Sequence, residues 1–384
     1  MDRELIQNEL IRVSKSCLGE EEKSAVEAVL DIEFLGMGPK VKEFEHMLAD
    51  FFDSEVVCVS SGTAALQIAL QSLGIGNGDE VIVPSLTYLA SFQAISATGA
   101  KPIPCEVLPD TLTMDPNDVE SKINSKTKAI MPVHYSGGVG MIEATYSLAD
   151  QFKLRVVEDA AHAFGTIHNG NNVGSFGDIA CFSFDGIKNI TSGEGGCIVS
   201  RDQNIISKSR DLRLLGVKGD SDKRYNRERT WYPEVDMQGW RYHMSDIMAA
   251  IGLAQLEKFE FLAKKRQLLA MKYDSYLMED PRIKIIEHDY KNIVPHIYTI
   301  RIKDLEDKQI IRQKLETKMI QTAEHYFPNH LLDFYRVEGV CLGHTEKIYK
   351  EILSLPLHPD LSDKDIDYVC KTLIEILNDI YPIQ

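Results

Sequence analysis

Between about residues 20 and 200, short β-branched or apolar runs at 56–59, 80–83, 128–133, 155–158, 179–184 and 197–200 alternate with segments of helical period. Runs apolar at successive positions bury both faces of a sheet, and their alternation with helices builds βαβ units. The pattern predicts an α/β fold whose mainly parallel central sheet lies between helices. In such sheets ligands collect beyond the C-terminal ends of the strands. The residues that follow each strand are therefore the ones to inspect for chemistry.

Beyond residue 200 the pattern changes. Residues 216–232, GVKGDSDKRYNRERTWY, are polar and charge-dense and predict a long exposed loop. A helix over 245–258 places Ile247, Ala250, Ile251 and Ala254 on one face. From about Phe259 a few strands, one over 296–302, mix with amphipathic helices. The last helix takes Ser362 as N-cap with Asp365 three residues later, and Ile366, Val369, Cys370, Leu373 and Ile376 or Leu377 form its buried stripe. The expected organisation is a large α/β domain over 1–255, including the N-terminal segment, and a small C-terminal α+β domain over 256–384.

Forty-two Lys and Arg against 58 Asp and Glu give a net charge of −16, which repels nucleic acid and anionic membranes. Any anionic ligand must then be held by local groups. No apolar run approaches the length of a membrane span, and the N-terminus MDRELIQNEL has no apolar core of a signal peptide, so a cytoplasmic protein is expected. The cysteines at 17, 58, 105, 181, 197, 341 and 370 are scattered without a C-x-x-C pair. They are read as small buried apolar residues, with no metal site and no disulfide framework.

Three segments carry candidate chemistry. In VVCVSSGTAALQIAL a buried strand leads through Ser60, Ser61 and Gly62 into a helix near Thr63. The free N–H groups at a helix N-terminus bind phosphate, although Ser and Thr there are also ordinary N-caps. In RVVEDAAHAFG, Asp159 ends a strand and opens a helix that carries His162. A carboxylate at that place can hold a pyridine nitrogen protonated, or simply cap the helix. His162 read alone is a polar residue with a backbone partner. In IACFSFDGIKNITSGEGGCIVS, Ser183 and Lys188 lie between two strands, with Glu194 flanked by glycines. A lysine beside low-dielectric walls can lose its proton and form a Schiff base, whereas loop lysines are ordinarily solvated. A phosphate cradle, a strand-end Asp and, 29 residues later, a lysine arrive in the order needed to hold one pyridoxal 5'-phosphate (PLP) from three sides. Tyr88, after the strand in IVPSLTYLAS, is placed to stack on the ring or to join the core.

These segments, together with FLGMGPKVKEFE, DEVIVPSLTY, TGAKPIPCEV, YHMSDIMAAIGLAQL, EHYFPNH and LSLPLHPDLSD, resemble the DegT/StrS family of PLP-dependent nucleotide-sugar aminotransferases, within the fold-type I aminotransferase superfamily. The resemblance implies a homodimer with PLP at the subunit interface, and transfer of an amino group from L-glutamate to a keto sugar nucleotide. The product would be an amino sugar for a surface polysaccharide or glycoconjugate such as lipopolysaccharide O-antigen. It implies Lys188 as the Schiff-base lysine and Asp159 as the partner of the pyridine nitrogen. Gly62, Thr63 and Ser183 match phosphate contacts, Tyr88 the stacking aromatic, and His162 the residue near the ring hydroxyl. His325 and His330 match histidines near the sugar nucleotide, and Glu194 begins a loop that shapes the backbone beside Lys188.

The sequence departs from the family where a G-Y-N-Y-R-M segment, whose Asn reaches the partner subunit's phosphate, reads Gly239-Trp240-Arg241-Tyr242-His243-Met244. Arg241 carries charge-assisted donors suited to that phosphate, and His243 is the alternative. Within the family the rival is a PLP-dependent sugar dehydratase, in which histidine replaces the lysine; position 188 is Lys. A rival of another class is a non-catalytic PLP-binding regulator on the same fold.

Overall fold

The computed structural model describes residues 9–226, 228, 231–303 and 307–382. Strands β1 (Glu55–Val59), β2 (Glu80–Pro84), β3 (Lys101–Cys105), β4 (Thr127–Ile130) and β5 (Arg155–Asp159) are followed by a small ribbon of β6 (Ile167–His168) and β7 (Asn171–Asn172), then by β8 (Ile179–Ser183) and β9 (Gly196–Ser200). All but the ribbon form a seven-stranded sheet in the order β1-β9-β8-β5-β4-β2-β3. β9 is antiparallel to both β8 and β1, and the other neighbouring pairs are parallel. Alternation along the strands covers both faces. Val57, Val59, Val81, Val83, Val157, Cys181 and Ile198 pack in one cluster with the helix Gly62–Ser72. Val56, Cys58, Ala180, Phe182, Cys197 and Val199 pack in another with the helix Pro39–Phe52.

β3 escapes the strand pattern because Pro102 and Pro104 interrupt it. It sits at the sheet edge, paired only with β2 among the described residues, where prolines are tolerated because their missing N–H groups face away from the sheet. Lys101 N–H donates to the Asp79 carbonyl at 2.9 Å, as the strand begins.

The C-terminal part builds an antiparallel sheet of β10 (Ile283–Ile285), β11 (Tyr298–Ile302) and β12 (Ile352–Leu355). The helices Phe259–Leu277, Lys308–Thr317 and Asp363–Ile380 pack with it. The last helix has the expected capping box between Ser362 and Asp365, and its whole expected stripe is buried. Ile11, grouped by sequence with the large domain, packs into this C-terminal core and bridges to Ile320.

Residues 216–232 are less loop-like than their composition suggests. They contain the helix Asp220–Tyr225, which Arg213 anchors through Ser221 Oγ at 3.2 Å and the Tyr225 hydroxyl at 2.5 Å. Residues 227, 229 and 230 of that stretch lie outside the described residues, as do residues 1–8 of the N-terminal segment read above. The helix Asp246–Glu257 buries Ala250 and Ala254, but Ile247 and Ile251 are only half-buried. Five cysteines are buried, while Cys17 is half-buried and Cys341 exposed. No helix among the described residues is long and apolar enough to cross a membrane.

Candidate active site

Because β1, β5 and β8 run the same way, Val59, Asp159 and Ser183 end at one edge of the sheet, and a cavity of about 350 Å³ opens there. Gly62, Thr63, Tyr88, Asp159, His162, Ser183, Lys188 and His325 all line it. Two glycines let the backbones converge. A Cβ on Gly62 would lie 2.8 Å from Ser183 Cβ, and one on Gly196 would lie 2.6 Å from the carbonyls of Phe182 and Ser61. Ser61 is the N-cap of the helix Gly62–Ser72, its hydroxyl accepting from Ala64 N–H at 3.1 Å. The Gly62 and Thr63 N–H groups of that first turn precede the intrahelical ladder and are available to an anion.

Asp159 ends β5 but opens no helix. The chain turns at once, and Asp159 Oδ1 accepts from Ala161 N–H at 3.2 Å, a local turn of the kind Asp stabilises. Its other oxygen accepts from Ser91 Oγ at 2.7 Å. The side chain is buried, and among the described residues it forms no ion pair.

Lys188 lies in residues 184–195, which connect the antiparallel neighbours β8 and β9 as a long hairpin. Its Nζ stands 3.4 Å from His296 Nε2. Burial lowers its pKa to about 8 against the opposing pull of Asp159 and Asp185, and Arg266 adds to the lowering. His162 is buried with its Nδ1 accepting from Ser136 N–H at 3.3 Å. Its Nε2 therefore carries the proton of the neutral ring and donates to the Tyr326 hydroxyl at 2.9 Å. Burial, with Lys188 and neighbouring histidines, holds both His162 and His296 well below the usual histidine range. His325 is anchored through Nδ1 to Ser354 Oγ at 2.8 Å, and burial lowers its pKa to about 4. These rings stay neutral near pH 7.

Tyr88 is largely exposed, and its ring lies 5.7 Å from that of Tyr326. Two sequence candidates stand outside the cavity. His330 is a buried joint, its Nδ1 at 2.7 Å from Ser85 Oγ and its Nε2 at 3.2 Å from Glu346. Arg241 is exposed on a different depression, beside Phe34, Arg224 and His243. Four residues that sequence reasoning gave no role, Ser91, Asp185, His296 and Tyr326, either line the cavity or bond directly to a lining residue. Tyr326 lies within the quoted segment EHYFPNH, and His296 at the head of the expected strand 296–302, so both were in view without a local signal of their function.

The model of the DegT/DnrJ/EryC1/StrS aminotransferase family matches residues 16–374. The structure resembles that of the aminotransferase TlmJ from Streptoalloteichus hindustanus at 32% identity and a TM-score of 0.89, covering 97% of this chain and 100% of that one. It also resembles Helicobacter pylori PseC, an aminotransferase involved in the biosynthesis of pseudoaminic acid, at 26% identity and a TM-score of 0.90, covering 97% and 100%. A third likeness is NtdA from Bacillus subtilis, solved with bound cofactor PMP, the aminated form of PLP, at 28% identity and a TM-score of 0.85, covering 94% and 82%.

Proposed function

This chain belongs to the DegT/DnrJ/EryC1/StrS aminotransferase family, and from that premise we propose that it transfers an amino group from L-glutamate to a keto sugar nucleotide. The enzyme is a PLP-dependent sugar aminotransferase of fold type I. The finer reading adds a cytoplasmic homodimer that supplies an amino sugar for a surface polysaccharide or glycoconjugate. It rests on the family and on the chemistry of the cavity.

The observation that carries it is the pairing of a buried carboxylate that forms no ion pair among the described residues, Asp159, with a lysine of lowered pKa, Lys188, in one cavity. A buried carboxylate without a cation is costly, and the protonated nitrogen of a pyridine ring would relieve it. The remaining residues fit the same group. The helix N-terminus at Gly62 and Thr63, with Ser183 against it, offers N–H and O–H donors to a phosphate. Tyr88 would cover the ring face, and His162 would stand near the ring hydroxyl. Bound PLP supplies an aromatic ring that withdraws electrons from the carbon being deprotonated.

The chain's own groups do the rest. Lys188 Nζ in its free-base form, which the lowered pKa makes accessible, accepts the proton from the α carbon of the amino donor and later returns one toward the sugar carbon that is aminated. Asp159 keeps its proton partner charged, and Ser91 and the Ala161 N–H keep Asp159 in place. His325, held by Ser354 and lining the cavity, would contact the sugar.

Among the described residues, Lys188 is the only Lys or Arg lining the cavity, against Asp159, Asp185 and Glu194. A phosphate there gains from a cation supplied from elsewhere. We assign that role to Arg241 of the partner subunit in a homodimer, because Arg241 is exposed and lies near the exposed Trp231 and Tyr232 in sequence.

The test is to incubate the purified protein with L-glutamate and a panel of 3-keto and 4-keto sugar nucleotides. Mass spectrometry should find an amino sugar nucleotide, with 2-oxoglutarate formed in equal amount. Keto acid formation without any aminated sugar nucleotide would overturn the substrate assignment.

A further inference from the structure

We propose that Arg266 is the positioning residue of the site, a guanidinium that fixes Lys188 and His296 against each other from behind; the inference rests on the reading that Lys188 is the reacting amine. Arg266 lies on the helix Phe259–Leu277 among Leu262, Ala263, Leu269 and Ala270, on the face that packs into the protein. It is 2% exposed. An arginine in such a position ordinarily neutralises a buried carboxylate, but among the described residues Arg266 forms no ion pair.

Its two terminal nitrogens donate to backbone carbonyls instead, while its buried Nε has no hydrogen-bond partner among the described residues. Nη1 donates to His296 O at 3.0 Å and to Leu357 O at 3.3 Å. Nη2 donates to Ile187 O at 3.3 Å and to Lys188 O at 3.4 Å. Two of these carbonyls belong to the hairpin that carries the lysine. A third belongs to the histidine whose Nε2 lies 3.4 Å from Lys188 Nζ. One planar fork therefore sets both ends of that contact and ties them to residue 357 of the C-terminal part. A lysine or methionine could fill the volume but could not bond four carbonyls at once.

The charge acts in the same place. The groups facing Lys188 are Asp159 from β5, Asp185 from its own hairpin, and the neutral rings of His162, His296 and His325. The two carboxylates favour the ammonium form, whereas burial and the uncompensated cation of Arg266 favour the free amine. Arg266 thus holds the amine in place and helps to keep it unprotonated.

The experiment uses the full chain with Arg266→Lys and Arg266→Met, each checked for cooperative thermal unfolding. After the cofactor is removed with hydroxylamine, trace acetic anhydride and peptide mass spectrometry give the pH midpoint of Lys188. Rebinding of PLP followed by borohydride gives the rate of covalent capture. Arg266→Met should raise the midpoint measurably, because a buried like charge is lost. Arg266→Lys should shift it less but slow capture roughly 10-fold, because the fork that orients the amine is gone. If Arg266→Met does not fold, the capture rate of Arg266→Lys decides. Wild-type midpoint and capture rate in the folded variants would overturn the proposal. Absence of any borohydride label on Lys188 in the wild type would instead overturn the reading of Lys188, while the midpoints would still judge Arg266.

Discussion

Ser91 Oγ donates to Asp159 Oδ2 at 2.7 Å, and Ser91 stands three residues after Tyr88, in the first turn of the helix Leu89–Ala97. One turn of helix thus presents both the aromatic proposed to cover the cofactor ring and the hydroxyl that holds the carboxylate beneath it. Thr87 Oγ1, at 2.9 Å from Ser91 Oγ, extends the chain of hydroxyls.

Asp159→Asn should retain PLP but slow keto acid release from glutamate by several orders of magnitude, since the neutral amide no longer stabilises a protonated ring nitrogen. Ser91→Ala should have a smaller effect in the same direction. It removes one charge-assisted hydrogen bond worth ~1.5–3 kcal/mol, of which a part reaches the transition state, so a roughly 10-fold slower half-reaction is expected. Single-turnover measurement with glutamate checks both, and near-normal rates for Asp159→Asn would make Asp159 a structural turn residue.

Lys188 should cost the cofactor-free chain stability. Its pKa falls from the ordinary 10.5 to about 8 on folding. Between those values the unfolded chain holds a proton that the folded chain lacks, so stability rises with pH across the window and the cost is fully present below pH 8. Lys188→Met should therefore stabilise the cofactor-free protein by ~2–3 kcal/mol at pH 7, and most of that gain should be gone at pH 10. Urea unfolding at the two pH values checks this; an equal gain at both would mean that packing, not desolvation of the amine, is responsible.

Arg241→Ala should weaken PLP retention roughly 10- to 100-fold without unfolding the protein, the loss expected for one charge-assisted phosphate contact of ~1.5–3 kcal/mol. Mixing Lys188→Ala with Arg241→Ala and allowing subunits to exchange creates one site with both residues intact if the site is shared. Activity at limiting PLP should then return. Confirmed exchange without recovery would place Arg241 outside the site.

The residues legible in the sequence are those that follow a strand. Gly62, Asp159, Ser183 and Lys188 meet because parallel strands end at a common edge, a consequence of the alternation itself. His296 had no comparable signal, since its contact with Lys188 spans 108 residues and its local context reads as the start of a strand. Arg266 did leave a trace, a cation within the apolar stripe of a helix, which only its partners explain. His330 illustrates the reverse case. It fits the family pattern in the sequence, but Ser85 and Glu346 draw it into a joint away from the cavity. β3 was obscured by prolines that only an edge strand accepts.

The most direct test of the central claim is to reduce the purified, PLP-loaded protein with borohydride and map the modified peptide. Lys188 and PLP joined through an imine absorb in the visible region, and reduction makes that link permanent. The account predicts loss of the visible band, loss of glutamate-dependent keto acid formation, and a single pyridoxyl label on the peptide containing Lys188. A label on any other lysine, or no label while the protein still forms keto acid from glutamate, would contradict it.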